Sequence, residues 1–377
     1  MTRSGPGSTP PLVSPLYQSA VYTLADLDHV DRIYGKEEPG FIYARDNHPN
    51  AAELATTVAA LEGGAWGIVG GSGMSVLSIA FLGLVSAGDR VIAGNQLYGR
   101  TNRLLRHELA RFGVGCAVVD CTDLGAVREA LRTPSKFLVT ETITNPLLRV
   151  ADLEALAELC RAAGCRLIVD NTFASPVLCK PLEIGTDIVM ESLTKIISGH
   201  SDVTLGAIAG NDMAQYPNLM QIMSIWGFSA NPFDCWLAIR GIETLTLRMR
   251  AASDNARQLA EWLQTQPNVK RVIYPGLDDH PDRAAAEKIL PRGCGHMLCF
   301  ELANREAVNH FMRSVPEVPF APSLGHTGTT CSHPDTTSHR YEAVEDKLRQ
   351  GITPGLVRLS VGCEDFAELR TKMSRGI

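Results

Sequence analysis

The stretch RLIVDNTFASPVLCKPLEIGTDIVMESLTK, residues 166–195, carries two short apolar runs, RLIVDN and DIVMESL, each ending in polar residues. Runs of this length, rich in Val and Ile and bounded by turn residues, read as buried strands. Upstream lie RVIAG, VGCAVVD and KFLVTE, and downstream lies AIAG, with helical stretches such as DLGAVREALR and DLEALAELCRAAG between them. Strand, helix, strand from about residue 61 to 210 predicts parallel crossovers, and so an α/β sheet covered on both faces. Its ligand site is expected at the carboxyl ends of the strands.

The pattern then changes. A long helical stretch is expected from NPFDCWLAIRGIETLTLRMR to about Gln266, followed by VKRVIYPG, a helix, GHMLCFEL, a second helix, VRLSVG and a last short helix. The first sixty residues show little strand pattern and many Tyr, Asp and Pro. The expected organisation is an arm over 1–60 that packs on another subunit, a sheet domain over 61–240, and a smaller α+β domain over 241–377.

Bulk properties narrow the function. The chain has 377 residues, 45% hydrophobic and 20% charged, which is ordinary for a globular protein and argues against wholesale disorder. A net charge of −6 disfavours nucleic acid or an anionic membrane as main partner and leaves small molecules. The opening MTRSGPGSTPPLVSP has no apolar core of signal type, and SVLSIAFLGLVSAG is too short and interrupted to span a bilayer. Ten cysteines without a CxxC pair are expected to be reduced thiols, so the expected location is the cytoplasm. His326, His333 and His339 with Cys331 fit no common zinc spacing, and no metal is expected.

Four segments carry chemistry. GGSGMS, with Gly73 and Met74, opens a helical run; free N–H groups there suit a phosphate, and a plain Gly-rich turn is the simpler alternative. It lacks the third glycine of a dinucleotide fingerprint, which opposes an NAD-linked dehydrogenase. Asp170 ends a strongly apolar strand, where it either caps the next turn or faces a cation such as a protonated pyridine nitrogen. Ser192, Thr194 and Lys195 follow the next strand. They offer two hydroxyls for a phosphate and an amine that, once desolvated, forms a Schiff base with an aldehyde. Arg358 interrupts the apolar strand VRLSVG, where its fork fits a carboxylate. A phosphate cradle, an acid for a ring nitrogen, a lysine amine and a carboxylate fork are the parts of a pyridoxal 5'-phosphate (PLP) site.

Nearly the whole chain from about Tyr17 onward also resembles the cystathionine γ-synthase/γ-lyase (Cys/Met metabolism) family of PLP enzymes. The matching segments include FIYARDNHPN, LEGG, GSGMS, LYGRTNRLL, ETITNPLLRVADL, VDNTFASP, SLTKIISGHSDVTLGAIAG, APSLG, SHPDTTSH and VRLSVGCED. The resemblance implies a fold-type I, aspartate-aminotransferase-like α/β fold, usually a tetramer built from two active dimers. It implies that Lys195 holds PLP and shuttles protons, and that Asp170 pairs with the pyridine nitrogen. It puts Gly73, Met74, Ser192 and Thr194 on the phosphate, with Tyr98 stacked on the ring and Thr172 supporting it. By the same resemblance Tyr43 and Arg45 reach the phosphate of a neighbouring subunit, and Asn145, Ser323 and Arg358 hold the substrate carboxylate. From residues alone, Tyr43 and Tyr98 read equally as core or surface aromatics.

The implied chemistry is γ-elimination or γ-replacement on cystathionine or an O-acylhomoserine. Methionine γ-lyase and cystathionine β-lyase activities are the alternatives, and a non-catalytic PLP-binding protein is the alternative of another class. Residues that separate such members depart here from the family pattern. Arg100 follows LYG, Pro322 precedes SLG, and a loop from His326 to Thr330 follows it, expected at the side-chain end of the pocket.

Overall fold

A computed structural model describes residues 9–341 and 343–377; the first eight residues of the expected arm lie outside them. The strands are β1 (Trp66–Gly70), β2 (Arg90–Gly94), β3 (Gly115–Val119), β4 (Phe137–Glu141), β5 (Arg166–Asp170), β6 (Ile188–Glu191), β7 (Gly206–Gly210), β8 (Arg271–Ile273), β9 (Met297–Glu301), β10 (Thr330–Ser332) and β11 (Leu356–Ser360). The first seven form one sheet in the order β1-β7-β6-β5-β4-β2-β3, and the last four form a second in the order β10-β11-β9-β8. Strands β2 to β6 pair in parallel, and the small sheet is wholly antiparallel.

Three features differ from the reading of the sequence. AIAG, expected as another parallel strand, is β7 and runs antiparallel between β1 and β6. No helix lies between β6 and β7, only turns, so the chain reverses instead of crossing over. WGIVG forms β1, which its two glycines conceal. The single long helix is two, Pro232–Ile242 and Leu245–Gln264. Between them Arg248 intrudes on the ladder, donating to Gly241 O at 2.7 Å and to Thr244 Oγ1 at 3.1 Å.

The large sheet buries a layer on each face. Val139, Ile168, Ile188 and Ile208 pack with Phe81 and Phe137 on one side. Leu138, Leu167 and Val169 pack with Leu153 and Leu156 on the other. Each such side chain stabilises the fold by about 1.5–3 kcal/mol. This rigid double-covered sheet presents the carboxyl ends of β1, β4, β5 and β6 along one edge, facing Arg358 in β11 of the small sheet. No helix of the described residues is long and apolar enough to cross a membrane.

Candidate active site

A cleft of about 1380 Å³ runs along that edge and is lined by Ser72, Gly73, Tyr98, Asp170, Lys195 and Arg358 among others. Its floor follows from strand ends. β5 stops at Asp170, whose carboxylate accepts from Thr172 N at 3.0 Å. Burial pushes its pKa up, and the hydrogen bonds from Thr172 partly oppose that. Thr172 Oγ1 in turn accepts from Ser192 N at 2.9 Å, locking the end of β5 to the end of β6.

One edge of the cleft is a helix start, a candidate phosphate cradle. The helix Gly73–Leu84 begins here with Ser72 as its cap, accepting from Ser75 N. A Cβ on Gly73 would lie 2.7 Å from Met190 Cε and 3.3 Å from Ser192 Cβ, so only glycine lets the helix start come this close to Ser192. Unpaired N–H groups at a helix start attract an anion. Thr194 Oγ1 is engaged already, donating to Leu205 O at 3.1 Å and accepting from Leu205 N at 3.0 Å. Donating to a phosphate requires it to release the Leu205 carbonyl.

Lys195 stands half-buried beside the cradle, its Nζ donating to Ser323 Oγ at 3.1 Å. Burial first, and then the Arg358 charge, hold its pKa below the ordinary lysine value, favouring the neutral amine. Arg358 Nη1 donates to Asn145 Oδ1 at 2.6 Å and Nη2 to Ser323 O at 3.3 Å, while its buried Nε has no partner. A buried guanidinium with a donor to spare is a ready carboxylate fork.

Two residues escaped the reading of the sequence. Glu141, at the end of β4, accepts from Tyr98 N at 2.5 Å and from Asn145 N at 3.0 Å. One buried carboxylate thus fixes both the aromatic and the amide of the site. Burial and then Asp170 drive its pKa well above the usual range. The sequence does carry a signal for it, an acidic residue closing the apolar run KFLVTE. Arg248 carries no such signal. From a helix of the second half it donates to Ile196 O, and to Ile197 O at 2.9 Å, gripping the backbone just after Lys195.

Tyr98 lines the cleft with 37% of its surface exposed. Tyr43 and Arg45 do not line it; they stack on one another, guanidinium 5.2 Å from the ring centroid, on another part of the surface. The His326 loop was expected at the side-chain end, but its residues are not among those lining the cleft. It is pinned behind the lysine loop instead, by Thr327 N to Gly199 O at 3.1 Å and Thr329 Oγ1 to Glu364 at 2.9 Å. Thr337, Ser338, His339 and Tyr341 also line the cleft, as do Arg100, Arg103 and Arg106. Pro322 and Ser323 line it as well. His333 is tied to Thr336 Oγ1 at 2.9 Å and to Pro354 O at 3.0 Å.

Residues 3–377 match the family described as Cys/Met metabolism PLP-dependent enzyme. The chain belongs to that family. It is 41% identical to a cystathionine beta-lyase, MetC, of Bacillus subtilis over 89% of this chain and 85% of the relative. To an L-methionine gamma-lyase of Fusobacterium nucleatum it is 36% identical over 97% and 93%. The fold superposes on a cystathionine gamma synthase of Xanthomonas oryzae with a TM-score of 0.92 at 32% identity, covering 97% of this chain and 92% of that one.

PLP is therefore the cofactor of this Cys/Met metabolism enzyme, and the site fits it. The glycine-lined cradle, the Asp170 carboxylate and the amine of reduced basicity line one cleft, as a phosphate, a ring nitrogen and an aldehyde require.

Proposed function

We propose that the enzyme breaks or exchanges the γ-bond of a four-carbon amino acid whose far end carries a negative charge, with cystathionine as the reference substrate and an O-succinylhomoserine type as its replacement counterpart. One observation carries this reading. Arg100, Arg103 and Arg106 all line the cleft that holds Lys195 and Arg358, with no ion pair of their own among the described residues. Methionine ends in a neutral methyl group and has no use for these charges. Cystathionine ends in a second carboxylate, which an arginine binds in a fork.

The residues take these roles. Lys195 would hold the cofactor, Asp170 its ring nitrogen, and Gly73, Met74, Ser192 and Thr194 its phosphate, with Tyr98 against the ring and Thr172 behind it. Bound PLP supplies the electron sink that stabilises negative charge developing at the substrate Cα. Arg358, Asn145 and Ser323 orient the α-carboxylate, leaving the Cα proton toward Lys195. Lys195 Nζ takes that proton and, for γ-chemistry, one from Cβ. We also assign Tyr43 and Arg45 to a neighbouring copy's phosphate site, in a cytoplasmic homodimer that pairs into a tetramer, with the boundaries 1–60, 61–240 and 241–377. Apolar side chains left exposed on the arm, Leu12 at 87%, Val21 at 63% and Leu27 at 82%, support this assignment.

A second reading is β-cleavage, favoured by the 41% identity to a cystathionine beta-lyase. Product identity separates the two. γ-Cleavage of cystathionine by water gives cysteine, ammonia and 2-oxobutanoate, whereas β-cleavage gives homocysteine, ammonia and pyruvate. The expected product is 2-oxobutanoate; pyruvate alone would move the assignment to the second reading.

A further inference from the structure

The face of the sheet turned away from the cleft carries a second polar set. Register places Glu141 beside Asp170, and Asp170 beside Met190. Because strand side chains alternate, the following residues, Thr142, Asn171 and Glu191, turn to the other face. There Thr142 Oγ1 donates to Asn171 Oδ1 at 2.7 Å. Asn171 Nδ2 donates to Cys179 O at 3.0 Å and to Glu62 Oε1 at 3.2 Å. Glu62 and Asn171 are 0% exposed and Glu191 is 1% exposed.

Asn171 is thereby fully used, yet Glu62 Oε2 and both oxygens of Glu191 find no protein donor. The parallel register sets Glu191 beside Asn171, Asn171 holds Glu62, and each carboxyl perturbs the other. Two buried carboxylates in contact cannot both ionise. A single proton turns the repulsion into a charge-assisted O–H···O bond. Asn171 Nδ2 donates to Glu62 at 3.2 Å, and the contact between the two carboxyls lowers Glu62 while it raises Glu191, which leaves Glu191 as the donor.

We propose that Glu62 and Glu191 form a proton-sharing positioning pair, which braces the Asp170–Thr172 turn and Ser192 from behind and keeps one buried negative charge beneath the cofactor site. The surroundings agree. Burial lifts Glu62 to about 7, Lys180 pulling it down and Glu183 up, while burial, Glu62 and Asp170 hold Glu191 well above the usual carboxylate range. The Cys179 thiol is itself pushed up to about 12 by burial and by both glutamates, with Arg292 opposing. So Glu191 keeps its proton through neutrality, and Glu62 carries the charge once the pH is above about 7.

Infrared difference spectra of the holoenzyme at about pH 8 test this, above the normal range of any carboxylate. Wild type minus Glu191→Gln is expected to show a protonated-carboxyl stretch that shifts in D2O. Glu191→Gln preserves a donor toward Glu62, so it is expected to retain PLP and its visible band. Glu191→Ala leaves Glu62 unpaired and is expected to weaken PLP retention about tenfold. If no protonated-carboxyl band is lost in Glu191→Gln, or if Gln impairs retention as much as Ala, the proposal is overturned. Should Glu191→Ala not fold, the infrared result and the Gln visible band decide. The infrared readout uses no substrate, so its failure leaves the assignment of γ-chemistry standing.

Discussion

Lys195 owes its low proton affinity to burial first and to Arg358 second, so the two causes are separable. Arg358→Ala is expected to move Lys195 back toward an ordinary lysine. The rate of PLP capture by the cofactor-free protein should then reach its midpoint at higher pH than in wild type. A midpoint that stays put would remove Arg358 from the account of Lys195. Glu141 makes a second case at this scale. Glu141→Ala strips an acceptor from the Tyr98 and Asn145 amides, leaving buried N–H groups unpaired at about 1–3 kcal/mol each. A fall in kcat/KM of about tenfold or more is expected, with Glu141→Gln intermediate because it keeps one acceptor oxygen. Equal effects of Ala and Gln would contradict it. Asp170, Lys195 and Arg358 were legible because each is an ionisable group at the end of, just after, or within an apolar run, a placement that demands a partner. Glu141 stands in the same kind of place but serves backbone amides, which no side-chain pattern announces.

At the scale of elements, the alternation of β-branched runs with helical stretches was enough to reveal β2 to β6. What it hid was direction and interruption. β7 reverses because the lysine loop contains no crossover helix, and a strand pattern reads the same in both directions. The helix break at Glu243 and Thr244 is a tertiary effect, made by Arg248 bonding across it to hold the lysine loop. Arg248→Met is expected to destabilise the protein by about 3 kcal/mol, since Ile197 O and Gly241 O lose their donor and the neutral side chain cannot replace it. Urea denaturation of the holoenzyme measures this. A loss below about 0.5 kcal/mol, typical of a surface change, would show that the clamp is idle.

For the whole molecule, acid stability is expected to depend in part on His296, fully buried just before β9 with neither ring nitrogen hydrogen-bonded. Burial, then the charges of Arg358 and Arg248, push it from 6.5 down to about 3. Between those values the unfolded chain binds a proton that the folded one refuses. Stability is therefore present above pH 6.5 and is lost as pH falls, by about 1.4 kcal/mol per unit from this group. His296→Phe should flatten the fall of Tm between about pH 6 and pH 4; an unchanged slope would assign the acid limb to other groups. The proposed function at this scale rests on one cleft being lined both by Arg358 and by Arg100, Arg103 and Arg106. The most direct test is the ratio of kcat/KM for cystathionine to that for methionine, in wild type and in Arg100→Ala/Arg103→Ala. Wild type should favour cystathionine, and the double variant should lose at least about tenfold of that preference through cystathionine alone. A preference for methionine in wild type, or a ratio that survives both substitutions, would contradict the assignment.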